Sequence, residues 1–322
     1  MAYLDEYLAK AHYTAHVDRD KELLAKYNEK YQELKEILED KYKGRIYAPF
    51  KSGSIAKKTA INWKYDLDIV LPFKRSEAGT LKEMYEEVAG YLEDQRYTEN
   101  DLLKARRQRT SIGLFYQKGF EQLEIDVVPG RELNDEDFQE ADPEKKKLNL
   151  HWNETPQTRQ SIQTNIHKQV ETIKGKGDER KVIRLLKAWK LHRELVGVKS
   201  FLLELITIKA FEDCQKPSGL WGQVKMVLEY IRDNIETVKL IDPGNSGNKV
   251  HETLSATEKQ DLKNQTARFL EAVEEDEKRI TDFIPINPKY EDGAPEITSK
   301  PAILGAAAIL TGATSLQTQR FA

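Results

Sequence analysis

Two segments in which polar and apolar residues alternate limit the folds that this chain can adopt. In residues 65–71 the acids Asp66 and Asp68 alternate with apolar residues, and in residues 122–128 Asp126 does so in the same way. Because successive side chains of a strand point to opposite faces, each segment is typical of a strand with one buried face. The chain is therefore expected to contain a small sheet with an acidic surface.

The remaining pattern predicts helices around this sheet. Residues 14–43 show helical spacing of apolar residues without proline, which predicts one long amphipathic helix. Pro72 and Pro129-Gly130 are expected to end the two acidic strands. The other expected elements are a strand at 110–116 and helices at 81–92, 182–195, 201–211, 220–238 and 255–284.

These elements predict an α+β fold with a small mixed sheet. We expect a sheet-containing lobe with the N-terminal helix in residues 1–150, a helical lobe in residues 151–298 and a tail in residues 299–322. The tail is rich in small apolar residues, and either a packed helix or a flexible end fits its composition.

Composition excludes several classes of protein. The 322-residue chain is 39% hydrophobic and 33% charged, which is typical of a globular protein. Its formal net charge of −3 disfavours a long nucleic-acid partner. Cys214 is the only cysteine, so neither an intramolecular disulfide nor a cysteine zinc site can form. Because no signal peptide or membrane-length apolar run is evident, we expect a cytoplasmic protein without a membrane partner.

The acidic surface of the predicted sheet is a candidate metal site. Asp66 and Asp68 lie two residues apart on one face, where they repel each other unless a cation lies between them. Magnesium prefers carboxylate oxygens, and Asp126 on a second strand supplies a third ligand. Such a set can hold two Mg²⁺ ions, with Mn²⁺ as a substitute, for two-metal catalysis. Acids on a solvent-exposed strand face are common, however, and an Asp-x-Asp pair alone is a weak signal.

A glycine-serine pair upstream strengthens this interpretation. Gly53 and Ser54 lie at a predicted strand-to-helix turn, about a dozen residues before the acidic pair. Glycine permits close approach of the backbone to a ligand, and turn amides with a serine hydroxyl can bind phosphate. An ordinary turn is the alternative.

Gly53-Ser54, Asp66-x-Asp68 and Asp126, in that order, resemble the motif of the DNA polymerase β-type nucleotidyltransferase superfamily. Within it, the chain is most similar to the bacterial cGAS/DncV-like nucleotidyltransferases (CD-NTases), which are relatives of oligoadenylate synthases. The resemblance covers most of residues 14–284, and its further segments are residues 53–61, 184–190, 199–204 and 241–245.

The resemblance implies a bilobed enzyme with a long N-terminal spine helix. It implies synthesis of a cyclic dinucleotide or oligonucleotide from nucleoside triphosphates, with release of pyrophosphate. The product would be a second messenger that activates an effector in anti-phage defence (CBASS). It also implies that Lys187 and Ser200 bind the triphosphate, whereas a surface charge and a helix cap are the alternative readings of these residues.

Some features leave alternatives open. The animal DNA sensor of the family carries a zinc ribbon that one cysteine cannot build, so activation by DNA is not implied. Some relatives are conjugated at a terminal small residue by a ubiquitin-like machinery, and Ala322 is compatible with this. An enzyme that modifies an RNA or protein acceptor would share the carboxylates, and a degenerate, non-enzymatic nucleotide sensor is a further alternative.

Several other side chains are weaker candidates for nucleotide contacts. We consider phosphate contacts for an arginine cluster, base stacking for an aromatic residue at the junction of the lobes, and base recognition for two amides on a predicted helix. These residues are Arg106, Arg107, Arg109, Trp152, Gln163 and Asn165.

Overall fold

The computed structural model describes residues 1–63, 66–77, 79–95, 101–118, 121–133, 138–154 and 159–302. The chain forms two compact units. The sheet unit comprises Asp20–Gly177 and Ile241–Asn248, and the helical unit comprises Met1–Arg19, Asp178–Leu240 and Lys249–Ala322. Each unit is formed by two or three separate stretches of the chain. The predicted division at residues 150 and 298 instead gives each lobe one continuous stretch. The end of the predicted tail, including Ala322, lies outside the described residues.

The sheet unit is built on a seven-stranded mixed sheet. Strands β1, β2, β5, β4 and β3 lie side by side in that order, β6 pairs with β5, and β7 pairs with β6. Only β2 and β5 are parallel among these pairs of described strands. The strands are β1 (Phe50–Ser52), β2 (Leu67–Phe73), β3 (Leu102–Arg107), β4 (Ile112–Lys118), β5 (Glu121–Glu132), β6 (Leu148–His151) and β7 (Ser161–Thr164), with a separate hairpin of β8 (Ile241–Asp242) and β9 (Asn245–Lys249).

Helices complete both units. The sheet unit contains α2 (Lys21–Lys41), α3 (Gly53–Ala56), α4 (Leu81–Asp94) and α5 (Ile166–Ile173). The helical unit contains α1 (Ala2–Ala15), α6 (Gly177–His192), α7 (Ser200–Asp213), α8 (Leu220–Asn234) and α9 (Ala256–Glu275). None of the helices in the described part of the chain is long and apolar enough to cross a membrane.

The core of the sheet unit lies beneath the acidic strands. Leu67 and Ile69 of β2 and Ile125 of β5 are buried in one cluster with Leu34 and Leu38 of α2. Burial of each such side chain contributes roughly 1.5–3 kcal/mol. The alternation predicted from the sequence is confirmed, because Leu123, Ile125 and Val127 of β5 are buried, whereas Glu124 and Asp126 between them are only partly buried. The two strands are therefore fixed by their apolar faces.

The long N-terminal helix begins later than the sequence pattern predicts. The expected helix at 14–43 is α2, and it starts at Lys21 because the side chain of Asp20 caps it by accepting a hydrogen bond from Leu23 N. His16 has an extended backbone and ends the preceding helix α1. Helix α1 was not predicted, and its apolar face, which includes Leu4 and Leu8, is buried in the core of the helical unit.

Both acidic strands run through the prolines that were expected to end them. Pro72 lies within β2, opposite Gly130 of β5. The carbonyl of Pro72 accepts a hydrogen bond from Tyr47 N, on the side of the sheet where β1 has already ended. The β1 ladder covers only residues 68–70 of β2, and beyond it this edge has the isolated bridge between Ile46 and Phe73, so the proline removes no hydrogen bond of the β1 ladder.

Candidate active site

A row of four residues crosses the sheet and places the acidic side chains. Asp68 of β2 is opposite Ser52 of β1 on one side and Asp126 of β5 on the other. Asp126 is in turn opposite Gly113 of β4. Asp66 directly precedes β2. The parallel pairing of β2 with β5 thus brings together acids that are far apart in the sequence.

The three predicted carboxylates form one cluster. One oxygen of each of Asp66, Asp68 and Asp126 lies within 4.8 Å of the others. Burial, followed by the nearby charges of Asp66 and Glu124, raises the pKa of Asp126 to about 6. The protein thus holds three acids at a separation where their charges repel each other.

This donor set fits a hard divalent cation. The three ligands offer only carboxylate oxygens, which magnesium and manganese prefer, and a cation would offset the repulsion that raises the pKa of Asp126. Among the described residues, this is the only cluster of three acidic, histidine or cysteine side chains with such spacing. The chemistry of the residues therefore supports the predicted metal site.

The Gly53-Ser54 turn lies against the cluster. Gly53 has a φ of +63°, and a Cβ atom there would lie 1.7 Å from Asp68 Oδ2. Only glycine permits this close approach of the backbone to the carboxylate. The turn is closed by a hydrogen bond from Thr59 N to the carbonyl of Ser54, with a distance of 2.9 Å. The predicted turn thus lies directly beside the carboxylate cluster.

Sequence reasoning missed Gln108, which contacts the cluster. Its Nε2 donates a hydrogen bond of 2.9 Å to Asp126 Oδ1, and its Oε1 accepts one of 2.9 Å from Ser111 Oγ. A Cβ atom at Gly113 would lie 2.3 Å from Gln108 Nε2, so the glycine opposite Asp126 leaves room for the amide. A glycine inside a predicted strand was the one signal of this close approach.

Two side chains hold the turn that carries Gln108. The hydroxyl of Tyr85 contacts the carbonyls of Gln108 and Ser111 at 2.9 and 3.0 Å. Asn153 Nδ2 donates to the carbonyl of Gln108 at 3.2 Å. Because its backbone and side chain are both held, Gln108 fixes the orientation of the Asp126 carboxylate.

The predicted arginine cluster makes contacts within the protein. Arg107 pairs with Glu86 and Glu93, and Arg109 pairs with Glu154. Arg106 and Arg107 lie inside β3, a strand that the sequence analysis did not predict. The charges of Arg107 and Arg109 are therefore paired with carboxylates of the protein, with no need for a phosphate. The charge of Arg106 acts to lower the pKa of Asp126.

The candidates for base recognition also have structural roles. The guanidinium groups of Arg109 and Arg159 lie over the ring of Trp152, at 4.8 and 4.5 Å from its centroid. Gln163 and Asn165 were expected on a helix, but Gln163 lies in β7 and Asn165 caps α5. Asn165 is 1% exposed, and its amide donates to two backbone carbonyls, which leaves it no role in reading a base.

The predicted triphosphate contacts lie in the helical unit. Lys187 of α6 is buried, so the alternative interpretation of this residue as an exposed surface charge is wrong. Ser200 is the first residue of α7, and its Oγ accepts a hydrogen bond of 3.3 Å from Lys190 Nζ. The role of Lys187 and Ser200 in binding a nucleotide stays a prediction.

The late Asp-Pro segment belongs to the sheet unit. The buried carboxylate of Asp242 accepts hydrogen bonds from Gln169 Nε2, Gly244 N and Asn248 Nδ2, at 2.8–3.1 Å. Gly244 packs so closely that a Cβ atom would lie 2.5 Å from the carbonyl oxygen of Asn165. This segment therefore stabilises the hairpin of β8 and β9 against α5.

The fold is shared with bacterial proteins of known structure. CdnC of E. coli MS115-1, solved with ATP, superposes with a TM-score of 0.64 and 18% identity, over 84% of this chain and 92% of CdnC. The cyclic AMP-GMP synthase DncV of Vibrio cholerae, solved with the linear intermediate pppA(3′,5′)pG, gives 0.61 and 17%, over 76% and 71%. The cyclic dinucleotide synthase CdnE of Elizabethkingia meningoseptica, solved with GTP and Apcpp, gives 0.55 and 14%, over 76% and 90%.

These likenesses confirm the predicted α+β nucleotidyltransferase fold. At identities below a fifth they establish the fold alone. No protein-family model matches the chain. A comparison with curated proteins also finds no match.

Proposed function

We propose that this protein is a CD-NTase, a metal-dependent nucleotidyltransferase that joins nucleoside triphosphates into a cyclic dinucleotide or oligonucleotide. The observation that carries the proposal is the cluster of Asp66, Asp68 and Asp126 beside the Gly53 turn. The likeness of the fold to CdnC, CdnE and DncV supports it, because two of these are named as synthases of cyclic dinucleotides.

The proposed reaction is an in-line displacement at phosphorus. The 3′-hydroxyl of one nucleotide attacks the α-phosphate of a second, a new P–O bond forms, and pyrophosphate leaves with the electrons of the broken bond. A second transfer within the linear product closes the ring. Such transfers are accelerated mainly by positioning and by electrostatic stabilisation.

The proposed site residues have separate roles in this reaction. Asp66, Asp68 and Asp126 would hold two Mg²⁺ ions, which would supply positive charge to stabilise the charge that develops in the transfer. Gly53 and Ser54 position the phosphates of the donor nucleotide. Gln108 holds Asp126 in a single orientation through its 2.9 Å hydrogen bond. Lys187 and Ser200 contribute to binding of the triphosphate.

The biological setting is part of the same proposal. The product serves as a second messenger in anti-phage defence (CBASS) and activates an effector protein. The protein acts in the cytoplasm and needs no DNA. Conjugation of Ala322 by a ubiquitin-like machinery belongs to this setting, and loss of the conjugate on deletion of the last residue would test it.

Release of pyrophosphate tests the proposal. The purified protein is incubated with the four nucleoside triphosphates and Mg²⁺, and pyrophosphate is measured with and without EDTA. Asp66→Asn and Asp126→Asn are each expected to lower the rate by at least about 100-fold, since each removes a ligand charge. The matched control is Asp40→Asn, the same exchange at an exposed position of α2.

Two outcomes would contradict the proposal. One is a pyrophosphate signal that survives the Asp126→Asn exchange or EDTA. The other is a strict requirement for added RNA or protein, which would favour an enzyme that modifies such an acceptor.

A further inference from the structure

A cleft in the helical unit lies where α1 ends. It has a volume of about 550 Å³ and opens between the end of α1, the start of α6 and the start of α8. Ligand sites for small molecules typically have volumes of roughly 300–1,000 Å³. We call it the α1 cleft, and its polar wall consists of His12, Tyr13, His16, Arg19, Lys181 and Gln223.

Positive charge predominates around the α1 cleft. Arg19 and Lys181 are exposed at its rim, and Arg184 is buried behind His12. The one carboxylate in the lining, Asp178, is paired with both Lys181 and Lys216. The acid of the lining is therefore neutralised by lysines, while the guanidinium groups add positive charge.

Both histidines of the cleft have a lowered pKa, first through burial and then through the nearby guanidinium of Arg184. Arg184 Nε donates a hydrogen bond of 3.0 Å to His12 Nε2, which requires this imidazole to be neutral. Burial, followed by the charge of Arg184, lowers the pKa of His12 to about 3. The same two causes lower the pKa of His16, although Asp18 lies 3.4 Å from its Nδ1 and opposes them. Two neutral imidazoles and two cations thus line the cleft.

The lining defines the chemistry of a ligand. Six side chains that can donate hydrogen bonds surround a small volume, and a phosphate group presents more acceptor oxygens than a carboxylate. Besides the paired Asp178, the lining also has an apolar part formed by Ala9, Leu220 and Pro295. We propose that the α1 cleft binds a small phosphorylated molecule, with its phosphate between Arg19, Lys181 and the histidines and its less polar body against this apolar wall.

This site shares no residue with the carboxylate cluster. The α1 cleft belongs to the helical unit, and Asp66, Asp68 and Asp126 belong to the sheet unit. The lining of the cleft also includes neither Lys187 nor Ser200, so the proposal does not depend on the proposed reaction.

Binding of AMP in metal-free buffer with EDTA tests the proposal. The full chain is titrated with AMP, and binding is followed by calorimetry and by the ring resonances of its six histidines. The signals of His12 and His16, assigned through His12→Gln and His16→Gln, are expected to shift, and those of His192 and His251 are not. Citrate is the parallel probe for carboxylate chemistry, and it is expected to bind at least about tenfold more weakly.

Charge removal at the rim locates the site. The double variant Arg19→Gln with Lys181→Gln is expected to weaken AMP binding at least about tenfold, because it removes two phosphate contacts. The control Arg268→Gln with Lys278→Gln removes the same charge from exposed positions of the helical unit and should leave affinity within twofold. All four residues are exposed, so unchanged circular dichroism melting curves verify folding.

Three results would overturn the proposal. They are an absence of His12 and His16 shifts at 10 mM AMP, an equal loss of affinity in the control variant, and equal binding of citrate and AMP.

Discussion

Gly53→Ala tests how the turn and the metal ligands depend on each other. The new Cβ atom would lie 1.7 Å from Asp68 Oδ2 and 2.7 Å from its Cγ. Ordinary contact needs about 3.5 Å, so the Asp68 carboxylate or the turn must move by more than about 1 Å. A displacement of this size at a catalytic group can lower a rate about 100-fold. We expect the rate of pyrophosphate release to fall by at least that factor.

A second glycine separates this effect from backbone strain. Gly44 has a φ of +82°, which like the +63° of Gly53 lies in the region that favours glycine, but a Cβ atom at Gly44 would meet nothing within 4 Å. Both variants should lose about 1–2 kcal/mol of unfolding free energy, because alanine disfavours this backbone region. Gly44→Ala should retain its rate of pyrophosphate release. The reasoning is refuted if Gly53→Ala keeps a third or more of the wild-type rate, or if both variants lose activity equally.

Three further predictions concern Gln108, Asp126 and the N-terminal cap of α2. Gln108→Leu keeps a similar side-chain volume but removes the hydrogen bond to Asp126, and it should weaken Mn²⁺ binding about tenfold, as measured by electron paramagnetic resonance. An unchanged Mn²⁺ affinity would show that Gln108 does not position Asp126. Asp126→Asn should stabilise the metal-free protein at pH 7 by up to about 3 kcal/mol in urea unfolding, since its pKa is raised from 3.8 to about 6. Between about pH 4 and 6 the Asp126 carboxyl stays protonated in the folded wild type but not in the unfolded chain, so the stability of the wild type falls as the pH rises through this range. A difference in unfolding free energy between wild type and variant that is the same at pH 4 and pH 7 would contradict this. Asp20→Ala should cost about 1 kcal/mol in thermal unfolding by removing the cap of α2, whereas the exposed Asp40→Ala should cost less.

The acidic site could be predicted from the sequence because it depends on short-range patterns. Alternation along β2 and β5 requires only that each strand bury its apolar face, and the burial of Leu67, Ile69 and Ile125 fulfils this. The turn at Gly53 could be predicted because glycine is the residue type that suits a positive φ and the close approach of the backbone to the Asp68 carboxylate.

Other features depend on long-range contacts that no local pattern encodes. The parallel register that places Asp68 opposite Asp126 joins residues far apart in the chain. Gln108 acts through a hydrogen bond across the sheet, and a glutamine in a turn carries no signal of that. Helix α1 was missed because its apolar residues serve the core of the helical unit, while the sequence analysis followed the pattern of α2.

Mass spectrometry of the products from mixed nucleoside triphosphates and Mg²⁺ tests the central claim most directly. Our account predicts a small cyclic product, resistant to phosphatase, that forms without added nucleic acid or protein. It also predicts that the product disappears in Asp66→Asn and persists in Asp40→Asn. A folded, magnesium-loaded protein that forms no oligonucleotide from any pair of nucleoside triphosphates, or one that only extends an added acceptor, would contradict it.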